Sequence, residues 1–310
     1  MEDFTRNNAQ TRNQKTVSGR EAMNNMHLKP GKKATDKFLE ANGIRLHYLH
    51  HHGVEPPLIL MHGLTANAHS FDAILKAGVR REVLAVDLRG HGLSDKPTHG
   101  YTMQDHAADI IGMLDRLGME SAVIGGHSFG GLLSIYLAFH YPNRVEKIVM
   151  IDAAARMHHD VATMVRPAIR RLSKRWPSFS DYLEEIKHSP CLKGKWLPEM
   201  ESYYRADVVK KTDGGSYTTN SSPEHITEAL QEAIRGRTDR LEYAGRITQP
   251  AILIHALENC GKGALILPEA LARETVDTMK ACKYVAVPGN HITMLYGEGA
   301  REIARAIDNF

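Results

Sequence analysis

Six short runs of uninterrupted apolar residues set what this 310-residue chain can fold into: 58–61, 83–86, 122–124, 148–151, 251–254 and 284–287. None alternates apolar with polar. A strand that is apolar on both faces must be covered on both, so these runs read as inner strands of a parallel sheet flanked by helices. Helical periodicity over 103–117, 132–141, 268–280 and 298–307 supplies covering layers. Strand–helix alternation with right-handed crossovers predicts an α/β fold with a mostly parallel, doubly wound sheet. Ahead of it, residues 38–40 and 44–50 flank Asn42-Gly43, a dipeptide that favours a two-residue hairpin turn.

The alternation fails between Asp152 and Ile247, where helical segments, Trp176, Trp196 and the turn-rich stretch 213–216 hold no buried strand. This interval reads as a helical insertion lying over the sheet. The expected layout is a flexible arm over 1–36, an α/β core over 37–154 and 243–310, and a helical cap over 155–242. With 42% apolar and 24% charged residues, the chain is neither disordered nor a coiled coil. A net charge of +3 makes no case for nucleic-acid binding. No run approaches the ~20 apolar residues that cross a bilayer, and the first 35 residues lack a signal-peptide core. Cys191, Cys260 and Cys282 form no CxxC pair, and the expectation is reduced thiols in a cytoplasmic protein, monomeric or a homodimer.

Gly126-His127-Ser128-Phe129-Gly130 follows the apolar run 122–124 and opens a helix, the context a nucleophile elbow requires. A sharp strand-to-helix turn lifts the serine, and glycines let neighbouring backbones approach. A serine hydroxyl needs a base. Of 18 histidines, His291 sits just past the last strand run, at the carboxyl edge where open α/β sheets bind ligands. The acid that orients it is Asp152, at the end of the run 148–151, or Glu258, after 251–254. His62-Gly63-Leu64-Thr65 follows the first run, so the Leu64 and Phe129 amides are the expected oxyanion donors. His62 itself is a candidate substrate-binding residue, its side chain compatible also with hydrogen-bonding the loop backbone. His47, His50, His51 and His52 cluster near the hairpin, but strand alternation sets some of them on opposite faces, and the expectation is no metal and no cofactor.

Over residues 38–310 the chain resembles the α/β-hydrolase superfamily, through the elbow, the order Ser128, acid, His291, and the segment Asp87-Leu88-Arg89-Gly90-His91-Gly92-Leu93-Ser94. A narrower resemblance, to the 2-(acetamidomethylene)succinate hydrolases, rests on the pattern at 62–65, the stretch RGHGLSDKP at 89–97, and an acid placed like Asp152. The resemblance implies a serine hydrolase that cleaves a small carboxylic ester or amide, anionic in the narrower case, through an acyl-enzyme. Between 156 and 175 lie six basic residues against one acid, with Arg166 and Arg170 one helical turn apart. They form either an anchor for a substrate carboxylate or a solvated helix face. Trp176 and Tyr217 are read as pocket-lining or as core residues. Two rivals stand: a carbon–carbon hydrolase or lyase using the same triad, and a ligand receptor that keeps the hydrolase fold.

Overall fold

A computed structural model describes residues 34–212, 214–261, 263 and 265–310. The arm expected over 1–36 lies outside the described residues as far as residue 33. A hairpin begins the fold: β1 (Thr35–Ala41) and β2 (Ile44–His51) pair antiparallel around Asn42 and Gly43, both at positive φ (47° and 74°). The chain continues through β3 (Val54–Met61), α1 (Asp72–Lys76), β4 (Arg81–Val86), α2 (Met103–Leu117), β5 (Ala122–His127), α3 (Phe129–His140) and β6 (Val145–Ile151). After an insertion come β9 (Ala251–Glu258), α9 (Glu269–Thr278), β10 (Cys282–Asn290) and α10 (Gly297–Asp308).

The eight strands of the main sheet lie in the order β1-β2-β4-β3-β5-β6-β9-β10, parallel from β4 onward. All six apolar runs became strands of this sheet. The five inner ones are almost entirely buried, whereas β10 lies at the edge and is only partly covered. The helix expected over 103–117 is capped at both ends. Thr102 Oγ1 accepts from the Asp105 amide while Asp105 accepts from the Thr102 amide, and Gly118 ends the helix at φ 69°.

The insertion between β6 and β9 carries α4 (Val161–Arg171), α5 (Phe179–Lys187), α6 (Glu201–Asp207), the short antiparallel pair β7 (Val208–Lys210) and β8 (Tyr217–Thr219), α7 (Pro223–Arg235) and α8 (Asp239–Arg246). Its interior holds Trp176, Tyr182, Tyr203 and Tyr204, in one apolar cluster with Ile254 and Val287 of the sheet. A buried ion pair, Arg171 to Asp207 at 2.6 Å, crosses it, and Tyr182 Oη donates to the same carboxylate at 2.5 Å.

The cysteine expectation is corrected. Cys191 and Cys260 form a disulfide, with Cα atoms 4.2 Å apart. They are 69 residues apart in sequence and show no pairing motif. Only the fold brings the loop after α5 against the loop after β9. Cys282 stays a thiol, and burial pushes its pKa up to about 12. Among the described residues, no helix is long and apolar enough to cross a membrane.

Candidate active site

Ser128 stands between β5 and α3 with φ 53° and ψ −115°, a conformation an L-residue adopts only when its surroundings impose it. Backbone hydrogen bonds impose it here. The Ser128 amide donates to Ile151 O at 3.0 Å, and its carbonyl accepts from the Gly131 and Leu132 amides at 2.9 and 3.1 Å. The turn also needs the absence of side chains. A Cβ on Gly130 would lie 2.0 Å from Met61 O, and one on Gly63 would lie 3.4 Å from the Ser128 Cβ. Gly63 therefore brings the loop after β3 directly against the serine. Among the described residues, neither the Leu64 nor the Phe129 amide donates to another protein group.

Asp152 follows β6 at φ 45° and is 2% exposed. Its Oδ2 lies 2.6 Å from His291 Nδ1, and its Oδ1 accepts the Ala256 amide at 3.0 Å. A carboxylate facing Nδ1 keeps the ring proton there and leaves Nε2 as the basic nitrogen. The turn carrying His291 is fixed by its neighbour Asn290. The Asn290 Oδ1 accepts the amides of Ile292 and Thr293 at 3.0 and 2.9 Å, and its Nδ2 donates to Cys191 O at 2.8 Å. Glu258, the other candidate acid, is exposed. Its carboxylate pairs with Lys195 and accepts the Gly289 amide at 3.2 Å, and the Lys195 hydrogen bond holds its pKa below the usual range. Of the two acids, the fold joins Asp152 to His291 and turns Glu258 outward.

His127, to which the sequence alone assigns no role, precedes the serine and packs against the His291 ring. Its Nε2–H donates to His291 O at 2.8 Å, and the two rings are 4.5 Å apart. The elbow thus holds the backbone of the His291 loop directly. Full burial pushes the His127 pKa well down, so it acts as a neutral donor. Its position next to the serine in G-x-S-x-G was the available signal.

His62 takes the backbone-bonding one of its two readings. It is buried, its Nδ1–H donates to Gly63 O at 2.8 Å, and its Nε2 accepts the Leu88 amide at 3.1 Å. Trp176 is buried in the insertion, its indole N–H donating to Glu185 at 3.0 Å, and its backbone bridges to Tyr217. Arg166 and Arg170 are exposed on α4, and neither makes an ion pair among the described residues. None of the clusters with metal-ligand spacing found among the described residues includes Ser128, Asp152 or His291.

Comparison with known proteins agrees with this architecture. The sequence model of the alpha/beta hydrolase fold family matches residues 56–297. The chain belongs to the α/β-hydrolase family. It is 30% identical over 266 residues to the 2-(acetamidomethylene)succinate hydrolase of Mesorhizobium japonicum, covering 83% of this chain and 88% of that one. It is 27% identical to the 2-hydroxy-6-oxo-2,4-heptadienoate hydrolase of Pseudomonas putida, covering 77% and 92%. The crystal structure of E-2-(acetamidomethylene)succinate hydrolase superposes with a TM-score of 0.75 at 24% identity, covering 89% and 98%.

In this α/β-hydrolase the segment after β4 is scaffold. Asp87 is buried and accepts from the Ala68 and Leu93 amides (2.7 and 2.9 Å) and from His47 Nδ1 (2.7 Å). Burial opposes its charge, but these hydrogen bonds hold its pKa below the ordinary value. Arg89 forks onto Asp109 at 2.6 and 2.5 Å. His91 sits 2.8 Å from Leu64 O. Together with His62 these contacts fix the loop that carries Leu64.

Proposed function

We propose that this α/β-hydrolase is a serine hydrolase that cleaves a small carboxylic ester or amide without a cofactor. The observation that carries the reading is the Asp152 carboxylate held against His291 Nδ1 at 2.6 Å, with Ser128 in a strained elbow whose preceding residue, His127, donates to His291 O. His291 Nε2 takes the Ser128 hydroxyl proton as Oγ attacks the substrate carbonyl. The Leu64 and Phe129 amides receive the developing oxyanion, a contribution of about 3 kcal/mol per donor. The tetrahedral intermediate collapses and His291 gives its proton to the departing alcohol or amine. Water then attacks the acyl-enzyme, His291 accepts its proton, and the carboxylic acid leaves as Ser128 is restored. In this reading the 155–242 segment is the cap that shapes the substrate space, and Arg166 and Arg170 favour an anionic acyl group. A preference for neutral aromatic esters would remove the two arginines from the site.

The test is fluorophosphonate labelling and p-nitrophenyl acetate turnover in wild type and Ser128→Ala. Wild type should label once and turn over, and the variant should do neither while keeping its circular dichroism. Turnover by Ser128→Ala refutes the assignment. A second reading, hydrolysis of a carbon–carbon bond by the same groups, draws support from the relative named for 2-hydroxy-6-oxo-2,4-heptadienoate, a name that contains neither ester nor amide. Product analysis with a vinylogous diketone separates the two.

A further inference from the structure

At the opposite end of the sheet from Ser128 lies a second group of chemically capable side chains. His50 is near the end of β2, and Glu82 is the second residue of β4, the strand paired with it. The register His50↔Leu84, continued by two residues, sets His52 opposite Glu82. Residues two apart on a strand share a face, so His50, His52 and Glu82 stand on one side of the sheet. His47 is engaged elsewhere, with Asp87 and Asp36, and His51 stands on the other face, its Nε2 buried without a hydrogen-bond partner among the described residues.

The side chains converge. His50 Nε2 is 2.5 Å from a Glu82 oxygen, the His50 and His52 rings are 4.1 Å apart, and one ligand atom from each of the three residues falls within 4.8 Å of the others. Among the described residues no lysine or arginine pairs with Glu82. His52 is exposed, leaving the group open to solvent.

We infer that His50, His52 and Glu82 form a zinc site, completed by water. Two imidazoles and a carboxylate are a borderline donor set that suits Zn²⁺ in four-coordination. The ion would displace the proton shared by His50 Nε2 and Glu82 and bind the nitrogen and oxygen lone pairs. Its position, remote from the carboxyl edge of the sheet, makes its role structural, pinning the turn between β2 and β3 to β4.

The inference is tested by isothermal titration of chelator-treated full-length protein with ZnCl₂, alongside thermal unfolding. One ion per chain should bind with Kd below about 10 µM. At a hundredfold excess over Kd the Tm should rise by about 5–10 °C. His52→Ala, a change at an exposed position, should weaken binding at least tenfold, and so should Glu82→Gln. His158→Ala, in the exposed trio His158, His159 and Asp160, should leave Kd unchanged. Binding weaker than the stated limit, or binding lost in His158→Ala and kept in both other variants, overturns the site.

Discussion

Acidification should destabilise this protein well before its carboxylates protonate, because several histidines are buried as neutral rings, with His62, His106 and His127 held lowest. His62 and His106 are 0% exposed and His127 is 3% exposed. Burial lowers the His62 pKa to about 3 and holds His106 and His127 well below 6.5. The folded state therefore refuses protons that the unfolded chain accepts once the pH falls below about 6.5. For such groups stability is intact above the unfolded pKa and drains as pH falls toward the folded one. Each group costs about 1.4 kcal/mol per pH unit in that window, so about 2 kcal/mol at pH 5 and about 6 kcal/mol for the three. That is a large share of the roughly 5–15 kcal/mol that holds a domain folded. His69 works the other way. Burial opposes its charge, but Asp72 raises its pKa, offsetting part of the loss. The assay is thermal unfolding between pH 7 and pH 5, where Tm should fall by about 10–20 °C. His106→Leu provides the internal control. Neither ring nitrogen of His106 has a hydrogen-bond partner, and the ring packs edge-on against Phe129. This variant should lose part of the pH dependence and be no less stable at pH 7. A Tm that moves by less than about 3 °C between the two pH values would refute the argument.

Two further outcomes concern turnover. Asp152→Asn should lower kcat by about 10⁴-fold, because the amide no longer holds the proton on His291 Nδ1, whereas Glu258→Gln should stay within about threefold of wild type. Equal losses in the two variants would dissolve the distinction between these acids. His127→Phe removes the donor to His291 O while keeping a ring. It should cost about 10–100-fold in kcat with KM nearly unchanged and should shift the acid limb of the pH–rate profile. An unaltered profile would reduce His127 to packing.

Much of this fold was legible because its signals are local. An inner parallel strand must be apolar on both faces, so the six runs announced the sheet, and helical periodicity over 103–117 announced α2. Ser128 was legible for the same reason, since its elbow needs a strand, tightly spaced glycines and a helix in immediate succession. Asp152 and Glu258 were harder to separate. Both end a strand, and nothing local says which carboxylate turns inward. The Cys191–Cys260 bond was illegible, with 69 residues between its partners and no motif. Trp176 was open to two readings because burial against Tyr182 and donation to Glu185 depend on how the insertion packs.

By itself, then, the sequence determined the order of strands and helices, the elbow and the identity of its serine, all consequences of neighbours along the chain. Tertiary structure decided which acid meets His291, that His127 ties the elbow to the His291 loop, and that His50 and His52 meet Glu82 across two paired strands. Those are contacts between side chains distant in sequence, and their geometry exists only once strands are in register and loops are packed against one another.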